Sequence, residues 1–331
     1  MKESSKKPLS TCTHENLTVL VFKNKPWAIG QFEFTEPIWL FNTSKHVENQ
    51  SDGLIFTFIL TDINPKKATA FFHLFINNQS GLSPLRASFG SFEIIENVSE
   101  QGFDYLLKTI KNIAIEQQLT DITIKHYPSC YDQTKSNFIK SRLLKNGFEC
   151  NKTTINQHIS VSGEPFEANL HYSEKRRLRK CERAGFVFEE WPNPDAETVY
   201  DFIAQNRQQL GYSITFSLSE LYNWFTVFPE SYQIFCIKDQ NHIAALTLTV
   251  RVGEGVLYNF CPANNLNYHT FSPAVMLTKG LYGYCFTNKI QILDLGVSLD
   301  SDGYYKQSLA RFKQNLGAEM SEKNVFKASY S

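Results

Sequence analysis

Apolar and polar positions along this chain follow two rhythms, one of strands and one of helices. Runs rich in β-branched and aromatic residues at Leu17–Phe22, Phe32–Phe41, Leu54–Leu60, Ala68–Ile76 and Ala87–Ile95 predict strands. Asp62-Ile63-Asn64-Pro65 and Gly81-Leu82-Ser83-Pro84 punctuate them as turns. The rhythm then becomes helical. Ser99 or Glu100 opens a helix to Gln118 whose buried face is Phe103, Leu106, Leu107, Ile110, Ile113 and Ala114. A short strand at Ile122–Lys125, a helix at Ser136–Lys145 stopping at Asn146-Gly147, and a strand at Thr154–Ser160 complete the first half.

Ser162-Gly163-Glu164-Pro165 reads as a boundary. It divides a disordered start (1–12) and a first domain (13–163) from a second domain (164–331). The second half opens with a helix over Phe166–Arg183, a strand at Gly185–Glu190, and a helix capped by Asp195 that runs to Gln209. Ser217 or Ser219 starts another, to Val227. Tyr232–Lys238, Ile243–Val250 and Gly255–Phe260 form a meander, and Ser272-Pro273 reads as a cap and first-turn proline of a buried helix to Phe286. Both halves thus run from antiparallel strands through a loop and helix to a further strand. Ser88–Lys125 is laid out like Tyr258–Leu295, an offset of about 170 residues. The fold class that follows is mixed α/β (α+β), two tandem domains, each a mostly antiparallel sheet flanked by helices.

The stretch from Lys289 to Ala318 concentrates the chemistry. It begins as a buried strand, Ile290–Leu295, with Gly296 at its end and a polar loop carrying Asp300, Asp302 and Gly303. A helix follows with Tyr305, Leu309, Phe312 and Leu316 as its apolar stripe, and Gly317 sits where it stops. Lys313 lies beside that stripe and leans toward the strand's end, while Arg311 points to solvent. Asp294, among Ile292, Leu293 and Leu295, must be paired or functional, because an isolated buried charge is costly.

Asp294-Leu295-Gly296, the Gly/Tyr loop, Arg311-Phe312-Lys313 and Leu316-Gly317-Ala318 resemble the closing signature of FemAB-like proteins of the GNAT (acyl-CoA N-acyltransferase) superfamily. The resemblance spans most of the second half, about Pro165 to Met320. It implies two tandem GNAT-like domains, the first degenerate. It also implies an enzyme that moves an acyl or aminoacyl group from an activated donor to an amine of a cell-wall or sugar-linked precursor. Phe312 and Lys313 would then serve the donor's phosphate or the developing negative charge. The backbone of Val256–Cys261, with Phe260 and Cys261 at its end, would hold the acyl carbonyl, and the helix starting at Ser272 would take the pyrophosphate of coenzyme A.

Several of these positions also have a residue-level reading. A helix N-terminus presents unpaired N–H groups and partial positive charge. The loop before Ser272 contains no glycine, however, so an ordinary capped helix fits it equally well. Tyr258 and Tyr304 are candidate proton donors to a leaving group, or plain core and rim tyrosines. Asp294 is a candidate general base or an orienting carboxylate. On a helix, Arg176, Arg179 and Arg183 align with Tyr172, giving a phosphate or carboxylate clamp or else a solvated face.

Composition narrows the partners. A chain of 331 residues, 42% hydrophobic, can bury two cores. Lysine plus arginine equals aspartate plus glutamate at 33 each, a poor balance for coating DNA, RNA or an anionic membrane. The start lacks an apolar segment, and no run reaches the roughly 20 apolar residues of a membrane span. The 7 cysteines are odd in number and dispersed, as in a reduced cytoplasm. The 8 histidines show no ligand spacing, so no metal site is expected, nor a permanently bound cofactor. Acyl-CoA is the favoured co-substrate by resemblance. Aminoacyl-tRNA is the alternative donor, and a non-catalytic ligand-binding protein on the same fold is the alternative class.

Overall fold

A computed structural model of the chain describes residues 7–50, 53–62, 67–95 and 98–330. The chain divides into two compact units, one of Met1–Thr154 with Glu322–Ser331 and the other of Ile155–Ser321. The Ser162–Pro165 stretch lies inside the second unit, just past a strand. Of the expected disordered start, residues 1–6 lie outside the described residues, whereas Ser10–Cys12 are already strand. Of the expected turn at Asp62-Ile63-Asn64-Pro65, the last three residues also lie outside the described residues.

Unit 1 runs β1 (Ser10–His14), β2 (Leu17–Lys23), α1 (Ser44–Gln50), β3 (Leu54–Thr61), β4 (Ala68–Asn77), β5 (Ser80–Ser83), β6 (Glu93–Ile94), α2 (Glu100–Glu116), β7 (Asp121–Lys125) and α3 (Gln133–Lys145). Then β8 (Glu149–Ser160) leads into unit 2. Unit 2 runs α4 (Tyr172–Arg183), β9 (Val187–Trp191), α5 (Ala196–Gln209), α6 (Leu218–Val227), β10 (Tyr232–Asp239), β11 (His242–Gly253), β12 (Val256–Asn264), α7 (Pro273–Thr287), β13 (Ile292–Val297) and α8 (Gln307–Asn315). The strand β14 (Glu319–Ser329) returns to unit 1.

In unit 1 the strand order is β1-β2-β3-β4-β5-β7-β14, with β6 on β4. Neighbours are antiparallel except β5 and β7, which run parallel through Ser80↔Asp121 to Ser83↔Ile124. The helix α2 is the crossover between that pair. Ser99 caps it, its hydroxyl accepting from Gly102 N at 3.0 Å, and all six expected face residues are buried.

Three expectations for this half need correction. Phe32–Phe41 is not a strand. Pro37 interrupts it, and Phe32, Phe34 and Ile38 instead lie as loop residues over a core of Phe22, Ile59 and Phe71. Gly81-Leu82-Ser83 is strand and not turn. Of Ala87–Ile95 only Glu93–Ile94 pairs, because the space beside β7 is taken by β5.

In unit 2 the order is β8-β13-β12-β11-β10-β9, antiparallel apart from β12 and β13. Leu257 and Leu293 join Leu178 of α4, Leu277 and Leu281 of α7 and Leu316 beside α8 in one buried cluster on one face. Side chains alternate along a strand, so Tyr258 and Asp294 point to the other face, toward the side where α5 packs on β12.

The expected helix from Phe166 is shorter. A 3-10 turn at Phe166–Ala168 ends before His171, whose N–H donates to Asn315 O and whose ring caps α4. The expectation that α7 is buried all round fails at Phe286, which is exposed. Tyr305 precedes α8 and is exposed, bridging Leu299, so the stripe starts at Leu309. Among the described residues no helix is long and apolar enough to cross a membrane.

Candidate functional site

The parallel pairing of β12 and β13 covers Val256↔Ile292, Leu257↔Leu293 and Tyr258↔Asp294, and then stops. Past Tyr258, β12 stays paired to β11 alone, with Phe260 bulged out between Asn259↔Thr249 and Cys261↔Leu248. The strand β13 is re-registered against β8, passing from Asp294↔His158 to Gly296↔Gln157. This is the gap between carboxyl ends of neighbouring strands where α/β folds take ligands. Gly296 makes the departure of β13 feasible. Its φ of 70° is left-handed, and a Cβ there would stand 3.1 Å from the Tyr258 ring.

Asp294 sits at the point of parting and is 1% exposed. Its Oδ1 accepts from Gly296 N at 2.7 Å and from Asn156 Nδ2 at 2.8 Å. Lys313, on the buried side of α8, reaches back as its position on the helix suggested. Its Nζ donates to Gly296 O at 3.0 Å and Val297 O at 2.8 Å. Burial lowers its pKa to about 8, opposed by the negative charge of Asp294. Gln157 locks this arrangement: its Nε2 donates to Ala310 O at 2.9 Å and its Oε1 accepts from Ser298 Oγ at 2.7 Å. Phe312 packs half-buried against the core beside Lys313.

Ser272 occupies the first position before α7, yet its side chain caps nothing. Its backbone is left-handed (φ 57°, ψ 59°), whereas Ser99, which does cap, is extended (φ −68°, ψ 151°). The first turn of α7 is therefore without a side-chain cap. The loop before it holds its shape without glycine, because Asn265 caps a 3-10 turn at Leu266–Tyr268 and Tyr268 donates to Asp239. Lys180 stands beside this start, donating to Thr270 O at 2.9 Å with its Nζ 4.5 Å from the Phe271 ring centre.

On the α5 side, Phe216 and Trp224 pack with Phe260, and Phe260 with Tyr258. Arg207 and Lys306 both lie over the ring of Tyr212, at 5.6 and 5.1 Å. Lys306 also donates to the Tyr212 hydroxyl, and Arg207 to Cys261 Sγ. Neither cation has a carboxylate ion pair among the described residues.

The structure thus gathers Asp294, Tyr258 and Lys313 around Gly296, with Phe260 and Cys261 on the open strand. It does not bring Arg176, Arg179 or Tyr304 to them. The two arginines are exposed on α4, where their neighbour Arg177 pairs with the buried Glu174, and Tyr304 is 72% exposed. Asn156, Gln157 and Arg207 were missed by sequence reasoning. The first two lie in a strand with no motif; Arg207 is a lone cation without a pattern. Among the described residues no group of His, Cys, Asp and Glu is placed to hold a metal ion.

No family model and no curated protein sequence matches the chain. Solved structures do. FemX aligns over 97% of this chain and 98% of its own at 13% identity, with a TM-score of 0.68. A conserved protein of unknown function from Bacteroides thetaiotaomicron aligns over 86% and 90% at 9% identity, TM-score 0.54. The C-terminal domain of a putative lysylphosphatidylglycerol synthetase from Agrobacterium fabrum aligns over 79% and 82% at 11% identity, TM-score 0.52. At these identities the likeness is one of fold. The chain has the fold of FemX, with two compact units in tandem.

Proposed function

We propose that this chain is an N-acyltransferase that takes an acyl group from acyl-CoA and places it on the amine of a precursor molecule. The observation that carries the reading is the parting of β12 and β13 at Tyr258 and Asp294, with a carboxyl group and a lysine buried at the fork. An extended thioester arm fits the open edge of β12, where backbone N–H groups near Phe260 and Cys261 polarise the acyl carbonyl. The uncapped start of α7 and Lys180 suit the donor's pyrophosphate. Lys313 offsets negative charge at the fork through the backbone it grips.

In this scheme the amine nitrogen attacks the carbonyl carbon and the C–S bond breaks. The amine proton passes to Asp294, and Tyr258 protonates the departing thiolate. The aromatic face of Phe216, Trp224 and Phe260, with the unpaired cations Arg207 and Lys306, suits an acceptor carrying an anionic group. A sugar-linked or cell-wall precursor has that character. No resident cofactor is needed. A lysyl donor is the second reading, favoured by the likeness to the lysylphosphatidylglycerol synthetase domain.

Calorimetry with acetyl-CoA, a long-chain acyl-CoA and free CoA tests the donor. Saturable binding, weakened at least tenfold by Lys180→Ala, is expected. Absence of binding by every thioester, together with transfer from charged tRNA, overturns the acyl-CoA assignment. Binding without thiol release in the presence of amines would point to a ligand-binding protein.

A further inference from the structure

The strand β8 contributes two residues that the scheme above leaves unused. Asn156 is 1% exposed, and its Nδ2 donates to Asp294 Oδ1. A carboxylate oxygen only accepts, so this bond fixes which way the amide points. The Oδ1 of Asn156 is consequently turned elsewhere, buried and without a hydrogen-bond donor. His158 lies on the same face of β8 and is the cross-strand partner of Asp294. It is 7% exposed, and its Nδ1 is likewise buried without a partner. Burial lowers its pKa, which keeps the ring neutral at pH 7. Leaving such a buried polar atom unmatched is costly, so two of them beside one carboxylate call for a ligand that donates to both.

The chemistry selects the ligand. An unmatched amide oxygen, a ring nitrogen that accepts when the hydrogen sits on Nε2, and a carboxylate on one face complement a group with several donors, no acceptor and a positive charge. A primary ammonium has three N–H donors and nothing to accept with. Lys313 does not fill that role, since its Nζ is committed to the carbonyls of Gly296 and Val297 on the α8 side. We propose that Asn156, His158 and Asp294 form a binding site for a primary ammonium group, the resting form of the acceptor amine. The amine's role as acceptor rests on the transferase reading; the site itself rests on the orphaned atoms. Asn156 and His158 are positioning residues that hold the nitrogen next to the fork; one ammonium proton is lost to water to free the amine, and the second passes to Asp294 on attack.

The test uses the full chain labelled with 15N-histidine, observing His158 Nδ1 during titration with methylammonium chloride. His158→Gln assigns the signal, and tetramethylammonium chloride, which has no N–H donor, is the matched salt. The expected result is a saturable shift with methylammonium alone, while the signals of the buried His46, His73 and His126 stay fixed and report the fold. Asn156→Leu and Asn156→Ala, which both remove the amide oxygen, should each weaken the response at least tenfold. No methylammonium response in the native chain would mean that a trapped water, and not an amine, satisfies these atoms. An equal response to tetramethylammonium, or binding unchanged in both variants, would overturn the site equally. The tube contains no acyl donor, so failure here with thioester binding intact leaves the transferase reading standing. Loss of thioester binding with ammonium binding intact would sink that reading alone.

Discussion

Each unit contains one parallel strand pair bridged by a helix, and the two pairs end differently. In unit 1 the last pair is Ser83 and Ile124; in unit 2 it is Tyr258 and Asp294. Beyond Ser83 the chain doubles back over its own fork. Gly90 N donates to Lys125 O, and a Cβ on Gly90 would lie 2.7 Å from both Pro84 N and Ser83 Oγ. Ser91 and Ser136 then clamp the ring of His126 at 2.9 and 3.0 Å, with Phe89 buried beside them. Beyond Tyr258 the strand edge is open, Asn259 and Phe260 are half-exposed, and the buried groups carry charge. The same scaffold is closed with apolar and neutral polar groups in one unit. In the other it is held open at a cost in buried charge. On the transferase reading proposed above, that cost is what the chemistry of unit 2 asks of its fold.

The comparison can be broken at its strongest point by Asp294→Ala. If the fork of unit 2 is catalytic, kcat falls by roughly 10²–10⁴, the range of a lost acid–base group. Ile124→Ala at the matching place in unit 1 should leave kcat untouched while lowering stability by about 2–5 kcal/mol. Steady-state kinetics and denaturant melts on both variants decide it.

A smaller effect sharpens the contrast in how the units handle protons. Burial raises the pKa of Glu93 in unit 1 to about 8, against the pull of Asn42 and Trp39 hydrogen bonds. Its unfolded value is near 4.5, so the folded state holds a proton that the unfolded state releases between those values. Stability from this group is full below pH 4.5 and declines up to pH 8. Burial of His46 and His73 lowers each to about 4, and their contribution is full above 6.5 and lost as pH falls toward 4. Together these groups place the maximum near pH 6.5. Glu93→Gln, which mimics the protonated acid, should flatten the alkaline side. At about 1.36 kcal/mol per pH unit, it gains roughly 2 kcal/mol over the wild type between pH 6.5 and 8. Urea melts at the two pH values measure this.

The smallest contrast is between two serines in the same place before the crossover helices. Ser99→Ala should cost about 1 kcal/mol and Ser272→Ala less than about 0.5, because only the first serine caps its helix. Equal losses in thermal melts would mean that the start of α7 is an ordinary capped helix end.

These pairs also show what the sequence could convey. The stripe of α2, the caps of α5 and α6, the β10–β12 meander and the reach of Lys313 were legible, since each depends on local periodicity or a single turn. The alignment of Ile124 with Asp294 was visible as an internal offset. β5 was hidden because Gly81-Leu82-Ser83-Pro84 has turn composition, and only its pairing to β7 makes it a strand. β14 escaped because its buried positions are Asn324, Phe326 and Ala328, a weak apolar signal between lysines. Asn156, His158 and Gln157 become meaningful only when β13 changes register around Gly296, a long-range event with no sequence motif.

The return of β14 to unit 1 also bears on the order of events during synthesis. Val325–Ser329 pair with Lys125–Asp121, so one edge of β7 has no partner until the ribosome has made all of unit 2. At about 5–20 residues per second, the roughly 200 intervening residues leave that edge bare for on the order of 10–40 s. Unit 2 can close first, and a nascent chain stalled within it would present an unpaired strand to chaperones or to its neighbours.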